Sequence, residues 1–213
     1  MQFHLSHLPA VQSAIDIAAT CETLNDLGAA IEAFKEHELC APNALPSRAG
    51  TKCPADRPVM LLGKSPAWTE NETRIPFCGP AGQVLRSEMQ AQGHDVEECW
   101  ISCASPWKAK KNNPNATLLA IARPFLMREI EIVRPRIIMA LGQKADEALT
   151  QKSEKVTGRV GLKWILETPR GHQVPVIVNW CHAAVMYDPR LAPEFRSVIE
   201  TAFQDKDASL LAA

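Results

Sequence analysis

No stretch of the 213-residue sequence stays apolar over the roughly eighteen positions that a bilayer-spanning helix needs. The first residues also lack a basic segment followed by an apolar core. A soluble, cytoplasmic protein without a membrane partner is expected. An excess of either charge is missing too: 23 lysines and arginines face 24 acids, a formal net charge of -1. That balance removes any global pull toward nucleic acid, so contact with DNA has to come from a local basic patch and from amides at helix starts. The seven cysteines are odd in number and include no CxxC pair, which argues against a secreted disulfide scaffold and for reduced thiols used as small apolar residues. There is no internal repeat, no low-complexity tract and no GxxxxGK[ST] loop, so a phosphate-cradling nucleotide binder is a weak reading.

What is present suits one α/β domain over 1–213 with a helical N-terminal extension of about 1–55. The composition, 46% hydrophobic and 22% charged, is enough for one ordinary core. Val11 to Ala19 is weakly amphipathic, and Glu22 to His37 places Leu24, Leu27, Ile31 and Phe34 on one helical face, with Thr23 as its start. Residues 38–57, with Pro42, Asn43, Pro46, Gly50 and Pro54, read as an irregular connection. A strand at about 57–63 ends at Gly63, and a helix runs from Gly79 to Gln92. Cys99 to Cys103 is a short strand. A helical stretch follows over 116–133, in which Pro124 is expected to start a new helix.

Pro135 to Leu141 is the clearest buried strand, and Gly142 opens a helix to Thr150. Residues 152–173 form a hairpin or loop around Trp164, Val174 to Trp180 is the last strand, and 190–204 is the closing helix. Strands alternating with helices predict a three-layer α/β/α fold with a central, mostly parallel sheet. The loops after Gly63, Cys103, Leu141 and Trp180 then gather at one edge, where open α/β sheets bind ligands.

Five pieces stand in one order: Gly63-Lys64-Ser65-Pro66-Ala67, then Ile75-Pro76-Phe77-Cys78-Gly79-Pro80-Ala81-Gly82, then Ser105-Pro106-Trp107-Lys108 with Asn112-Asn113-Pro114, then Arg134-Pro135-Arg136-Ile137-Ile138-Met139-Ala140-Leu141-Gly142, then Trp180-Cys181-His182-Ala183-Ala184. This order resembles the family-four uracil-DNA glycosylases over about residues 22–203. The resemblance implies single- or double-stranded DNA as partner, a monomer, and one base extruded into a pocket at the sheet edge. It implies that Phe77 stacks on that base and His182 reaches its O2, with Gly63, Ser65, Pro66 and Cys103 around it. Both roles suit the chemistry, because a base must leave the duplex before its glycosidic bond is handled, and a histidine can donate to an oxygen that gains charge as the base departs. Lys108, Lys110 and Lys111 are candidates for phosphate contacts. Met186 and Tyr187 follow His182 where relatives insert a loop into the duplex, with Arg190 as that loop's anchor.

The departures from the family pattern carry as much weight. Where that family has a carboxylate in the first motif, this chain has Lys64, and where it has a base-reading asparagine in the second strand, Cys103 stands. Trp107 and Ala122 replace two cluster-binding cysteines, and Cys40 has no close partner. No iron–sulfur cluster, metal or other cofactor is expected, and Pro106-Trp107 resembles the clusterless relatives. One unit charge at about 4 Å with an effective dielectric near 20 is worth roughly 4 kcal/mol. A lysine in place of an acid beside a cationic sugar therefore costs several powers of ten in rate. Three alternatives stay open: Lys64 is neutral and nucleophilic, it turns to a phosphate, or the reaction is no longer uracil hydrolysis. Cys103 offers one weak donor where an amide both donates and accepts, so the pocket reads a different, bulkier pyrimidine. The sequence thus predicts catalysis by His182 and Lys64 on a modified or deaminated pyrimidine in DNA. The alternative is a relative that modifies a flipped base, as in viral DNA hypermodification, or only binds altered DNA.

Overall fold

The computed structural model describes residue 5 and residues 7–40, 44–45 and 47–204. In chain order the elements are α1 (Pro9–Thr20), α2 (Leu24–Ala33), β1 (Arg48–Ala49), β2 (Val59–Gly63), α3 (Trp68–Thr73), α4 (Pro80–Gln90) and β3 (Trp100–Cys103). They continue with α5 (Ala116–Val133), β4 (Ile137–Leu141), α6 (Gln143–Thr150), β5 (Lys163–Glu167), β6 (Gln173–Asn179), α7 (His182–Tyr187) and α8 (Ala192–Gln204). Thr23 caps α2 as expected: its hydroxyl accepts from Asp26 N–H at 3.1 Å while the Asp26 carboxylate accepts from Thr23 N–H at 2.9 Å.

The strands form one sheet in the order β1-β3-β2-β4-β6-β5. The four inner strands are parallel, and the two edge strands, β1 and β5, are antiparallel to their neighbours. Every residue of β2 and β4 is buried, as strands covered on both faces require. Alternation divides their side chains. Leu61, Met139 and Ile177 meet Leu85 of α4 and Phe195 and Ile199 of α8, while Met60, Leu62, Ile138 and Val176 meet Leu126 and Ile130 of α5 and Ala145 and Leu149 of α6. The expected three layers follow from that division. From β2 the chain goes to β3 on one side and then to β4 on the other, so β2 is where the strand order reverses. The crevice at its carboxyl end is where such sheets hold ligands. Pairing of Gly63 with Cys103 brings the ends of β2 and β3 level at that edge.

Several elements differ from the sequence expectation. Pro124 lies inside α5, which runs unbroken from Ala116 to Val133. A proline removes one backbone hydrogen bond, but α5 buries eleven residues between the sheet and the N-terminal helices, and that packing outweighs the loss. The residues after His182 form helix α7 rather than a loop, and the connection around Gly50 contains edge strand β1. Pro42, Asn43 and Pro46 lie outside the described residues. Trp164 belongs to β5, paired antiparallel with β6.

Glu129 ties α5 to β3 from beneath. Its carboxylate accepts from Trp100 Nε1 at 2.6 Å and from Ser102 Oγ at 3.0 Å. Burial pushes its pKa up to about 7. The unfolded chain loses this proton near the ordinary value of 4.5, the folded chain near 7, so stability is full below the first value and falls as pH rises toward the second. Glu129→Gln keeps an acceptor for Trp100 and does not titrate. Its stability relative to wild type is expected to rise by about 3 kcal/mol between pH 4.5 and 7.5, read from urea unfolding at both ends. A difference independent of pH would show that Glu129 is already ionised at neutral pH.

Candidate functional site

A cavity of about 320 Å³ opens at the carboxyl edge of the sheet. The loop after β2 contributes Lys64, Ser65 and Pro66, α3 contributes Glu70, and the segment leading into α4 contributes Phe77 and Gly79. Cys103 and Asn112 come from β3 and the turn beyond it, and His182, Met186 and Tyr187 from α7. A larger cavity of about 550 Å³ lies between α1 and α5, away from the strand ends. Its polar groups already serve one another: Arg128 pairs with Glu131 at 3.2 Å, Glu131 accepts from Arg170 N–H at 2.9 Å, and Arg123 donates to the carbonyls of Ala148 and Leu149.

The cavity at the sheet edge is different. Among the described residues, six buried side-chain nitrogen and oxygen atoms have no hydrogen-bond partner, and three of them, Ser65 Oγ, Glu70 Oε2 and His182 Nδ1, belong to residues that line it. Buried polar groups are nearly always paired, so a cluster of unpaired ones marks a place prepared for a ligand.

Phe77 is the floor of the site, and its placement is backbone work. The residue is 5% exposed and sits at φ 52°, the left-handed region that an aromatic residue rarely adopts. Arg86 of α4 donates to its carbonyl at 3.4 Å, and a Cβ at Gly82 would lie 2.2 Å from that oxygen, so only glycine lets α4 approach this closely. A Cβ at Gly63 would meet Phe77 Cε1 at 2.9 Å and Cys103 Sγ at 3.6 Å. The end of β2 thus lies directly against both residues. The His182 ring meets Phe77 edge-on, with centroids 5.1 Å apart and planes at 79°.

The charges have a pattern. Burial, helped by the Lys64 cation, lowers the His182 pKa to about 4, so its imidazole is neutral at pH 7 and carries one N–H donor. Burial pushes the Cys103 thiol up to about 12, with Glu129 and Glu70 adding to the shift, so it stays protonated. Glu70 is 8% exposed, and its Oε1 accepts from Gly79 N–H at 3.0 Å at the start of α4.

A family model described as the uracil DNA glycosylase superfamily matches residues 50–203. The chain belongs to that superfamily. Among curated proteins it is 31% identical over 150 residues to the type-4 uracil-DNA glycosylase of Pyrobaculum aerophilum, covering 68% of this chain and 76% of that protein. It is 28% identical over 167 residues to that of Saccharolobus solfataricus, covering 76% and 74%, and 27% identical over 148 residues to that of Archaeoglobus fulgidus, covering 65% and 72%.

Within this superfamily chain the structure brings Lys64, Ser65, Pro66, Phe77, Cys103, His182, Met186 and Tyr187 to one cavity, with Gly63 directly behind Phe77. Lys108, Lys110 and Lys111 do not line it. Lys110 and Lys111 share a 3₁₀ turn with Asn112, which does line it, and Lys111 and Asn112 are both left-handed. Arg190 also lies outside the lining, with an exposed side chain paired twice to Asp188, at 2.8 and 2.9 Å. Glu70 was not among the residues singled out from sequence. Its only signal there is an acid shortly after the strand-end loop, and its meaning depends on a glycine nine positions on.

Trp107 and Ala122 are fully buried, and Trp107 packs with Phe34 and Phe125 at centroid separations of 5.7 and 6.0 Å. Cys40 belongs to the same apolar cluster, and burial pushes its thiol up to about 11. One protonated thiol beside an aromatic core does not fit an iron–sulfur cluster, which takes four donors. Among the described residues no helix is long and apolar enough to cross a membrane.

Proposed function

We propose that this chain acts as a monomer on DNA, draws one base out of the strand into the cavity at the end of β2, and cleaves the N-glycosidic bond of a modified or deaminated pyrimidine. The observation that carries the reading is the gathering of unpartnered polar atoms from Ser65, Glu70 and His182 in the one cavity that Phe77 also lines. In this reaction the bond between C1′ and the base nitrogen breaks, its electron pair leaves with the base, and water adds to the cationic sugar carbon and loses a proton that the departed base anion takes up. Phe77 stacks on the base while it is out of the duplex. Neutral His182 donates to the base oxygen on which negative charge builds. The lysine turn 110–112 and the exposed Tyr187, 82% accessible, carry the flanking strand.

The cation at Lys64 favours a second reading, in which the same pocket holds a base for modification or binding without excision. An alkali strand-cleavage assay on single- and double-stranded oligonucleotides separates the two. Wild-type protein is expected to leave alkali-labile sites at uracil or 5-hydroxymethyluracil. Intact strands throughout, with tight binding, would favour the non-excising form.

A further inference from the structure

Glu70 holds a buried acceptor that nothing in the fold answers. Its Oε1 is engaged by Gly79 N–H, its Oε2 is buried without a donor, and the residue lines the base cavity. The side chain is also held in place, because a Cβ at Gly79 would lie 2.8 Å from Oε1 and α3 carries the residue on the cavity wall beside Ala67. Such a group does not suit an acceptor-rich edge of a base, since a carboxylate offers lone pairs and no N–H.

The residues around it sharpen the point. Cys103 supplies only a weak thiol donor, and the Ser65 hydroxyl, which lines the same cavity, leaves Glu70 Oε2 unanswered. Lys64 acts instead on His182, whose ring meets Phe77 edge-on. The cavity therefore carries donors at His182 and Lys64 and a bare acceptor at Glu70. On uracil the ring N3–H is flanked by two carbonyl oxygens, so a carboxylate that meets it also faces an oxygen of like charge. A donor outside the ring escapes this.

We propose that Glu70 is a specificity residue, and that the cavity selects a pyrimidine carrying an exocyclic hydroxyl or amine which donates to Glu70 Oε2. The assignment rests on the base-pocket reading above and narrows its class of base to pyrimidines that carry such a donor, setting deaminated bases such as uracil aside. A 5-hydroxymethyl group and a 4-amino group share this chemistry.

The test uses the full chain and single-stranded oligonucleotides of adenine with one central 5-hydroxymethyluracil, cytosine, thymine or uracil. Binding is read by fluorescence anisotropy and excision by alkali cleavage. Thymine fills the same space as 5-hydroxymethyluracil but lacks the hydroxyl, and cytosine tests the 4-amine. At least one donor-bearing base is expected to be bound or released about tenfold to a hundredfold better than thymine and uracil, the margin of a hydrogen bond to a charged group. Glu70→Gln, which can still accept from Gly79, is expected to shrink that margin to within threefold, because its amide places a donor where Oε2 stood.

Wild-type protein that treats the four bases alike, or a margin that survives in Glu70→Gln, overturns the role of Glu70 while leaving the base pocket standing. No central base bound better than an all-adenine strand, and none released, overturns the pocket reading and this assignment together. The wild-type comparison decides the matter even if the variant does not fold.

Discussion

Replacing Lys64 with glutamate is expected to raise uracil release by about a thousandfold. Lys64 lines the cavity and its charge already reaches His182, so in the proposed complex it lies among the groups that face the base and sugar. The sugar becomes cationic as the bond breaks, and one unit charge at about 4 Å in a medium of effective dielectric near 20 is worth roughly 4 kcal/mol. Three powers of ten in rate correspond to about the same energy. The substitution replaces a repulsive charge with an attractive one, so the estimate counts a single charge and is conservative. It also removes one cause of the low pKa of His182, so the acid limb of the pH profile is expected to move upward from about 4. Single-turnover rates on a uracil-containing strand at several pH values measure both effects. No gain in rate at any pH would mean that Lys64 faces away from the sugar in the bound complex, and the phosphate contact would become its role.

Loss of His182 is expected to be nearly as large in the opposite direction. His182→Ala removes the only imidazole among the described residues of the cavity lining, and the loss of one preorganised donor at a developing oxyanion costs about a hundredfold to a thousandfold in rate. Because burial and Lys64 hold its pKa at about 4, the donor is a neutral imidazole and wild-type activity should persist to pH 5, well below the ordinary histidine value of 6.5. The same shift makes a stability statement with a definite sign. The unfolded chain takes up a proton at His182 as pH falls below 6.5 and the folded chain does so only near 4, so the stabilisation is complete above the first value and is lost toward the second. Oligonucleotide affinity should change far less than the rate, since Phe77 and the flanking contacts remain. Equal loss of affinity and rate in His182→Ala would make the residue a packing partner of Phe77 rather than a donor in the reaction.

Local pattern was enough for the frame. Apolar runs ending at Gly63 and Leu141, alternating with amphipathic stretches, carry the parallel sheet and its helical layers, because burial on both faces and a period near 3.6 are written in neighbouring residues. The order of the motifs placed Lys64, Phe77, Cys103 and His182 at one sheet edge, and the parallel register delivers them there. Elements whose conformation is decided by distant partners were harder to read. Pro124 continues a helix because α5 is packed on both sides, and the residues after His182 wind into a helix whose Val185 is buried with the α4 and α8 core. The polarity of the cavity was decided by tertiary structure alone. Nothing local in the sequence tells that Glu70 turns one oxygen to Gly79 and leaves the other bare, or that the Lys64 charge reaches His182 far along the chain. Burial and electrostatic coupling act through space between residues far apart in the chain, so the sequence determined which groups reach the site, and the fold determined which of them are left needing a partner.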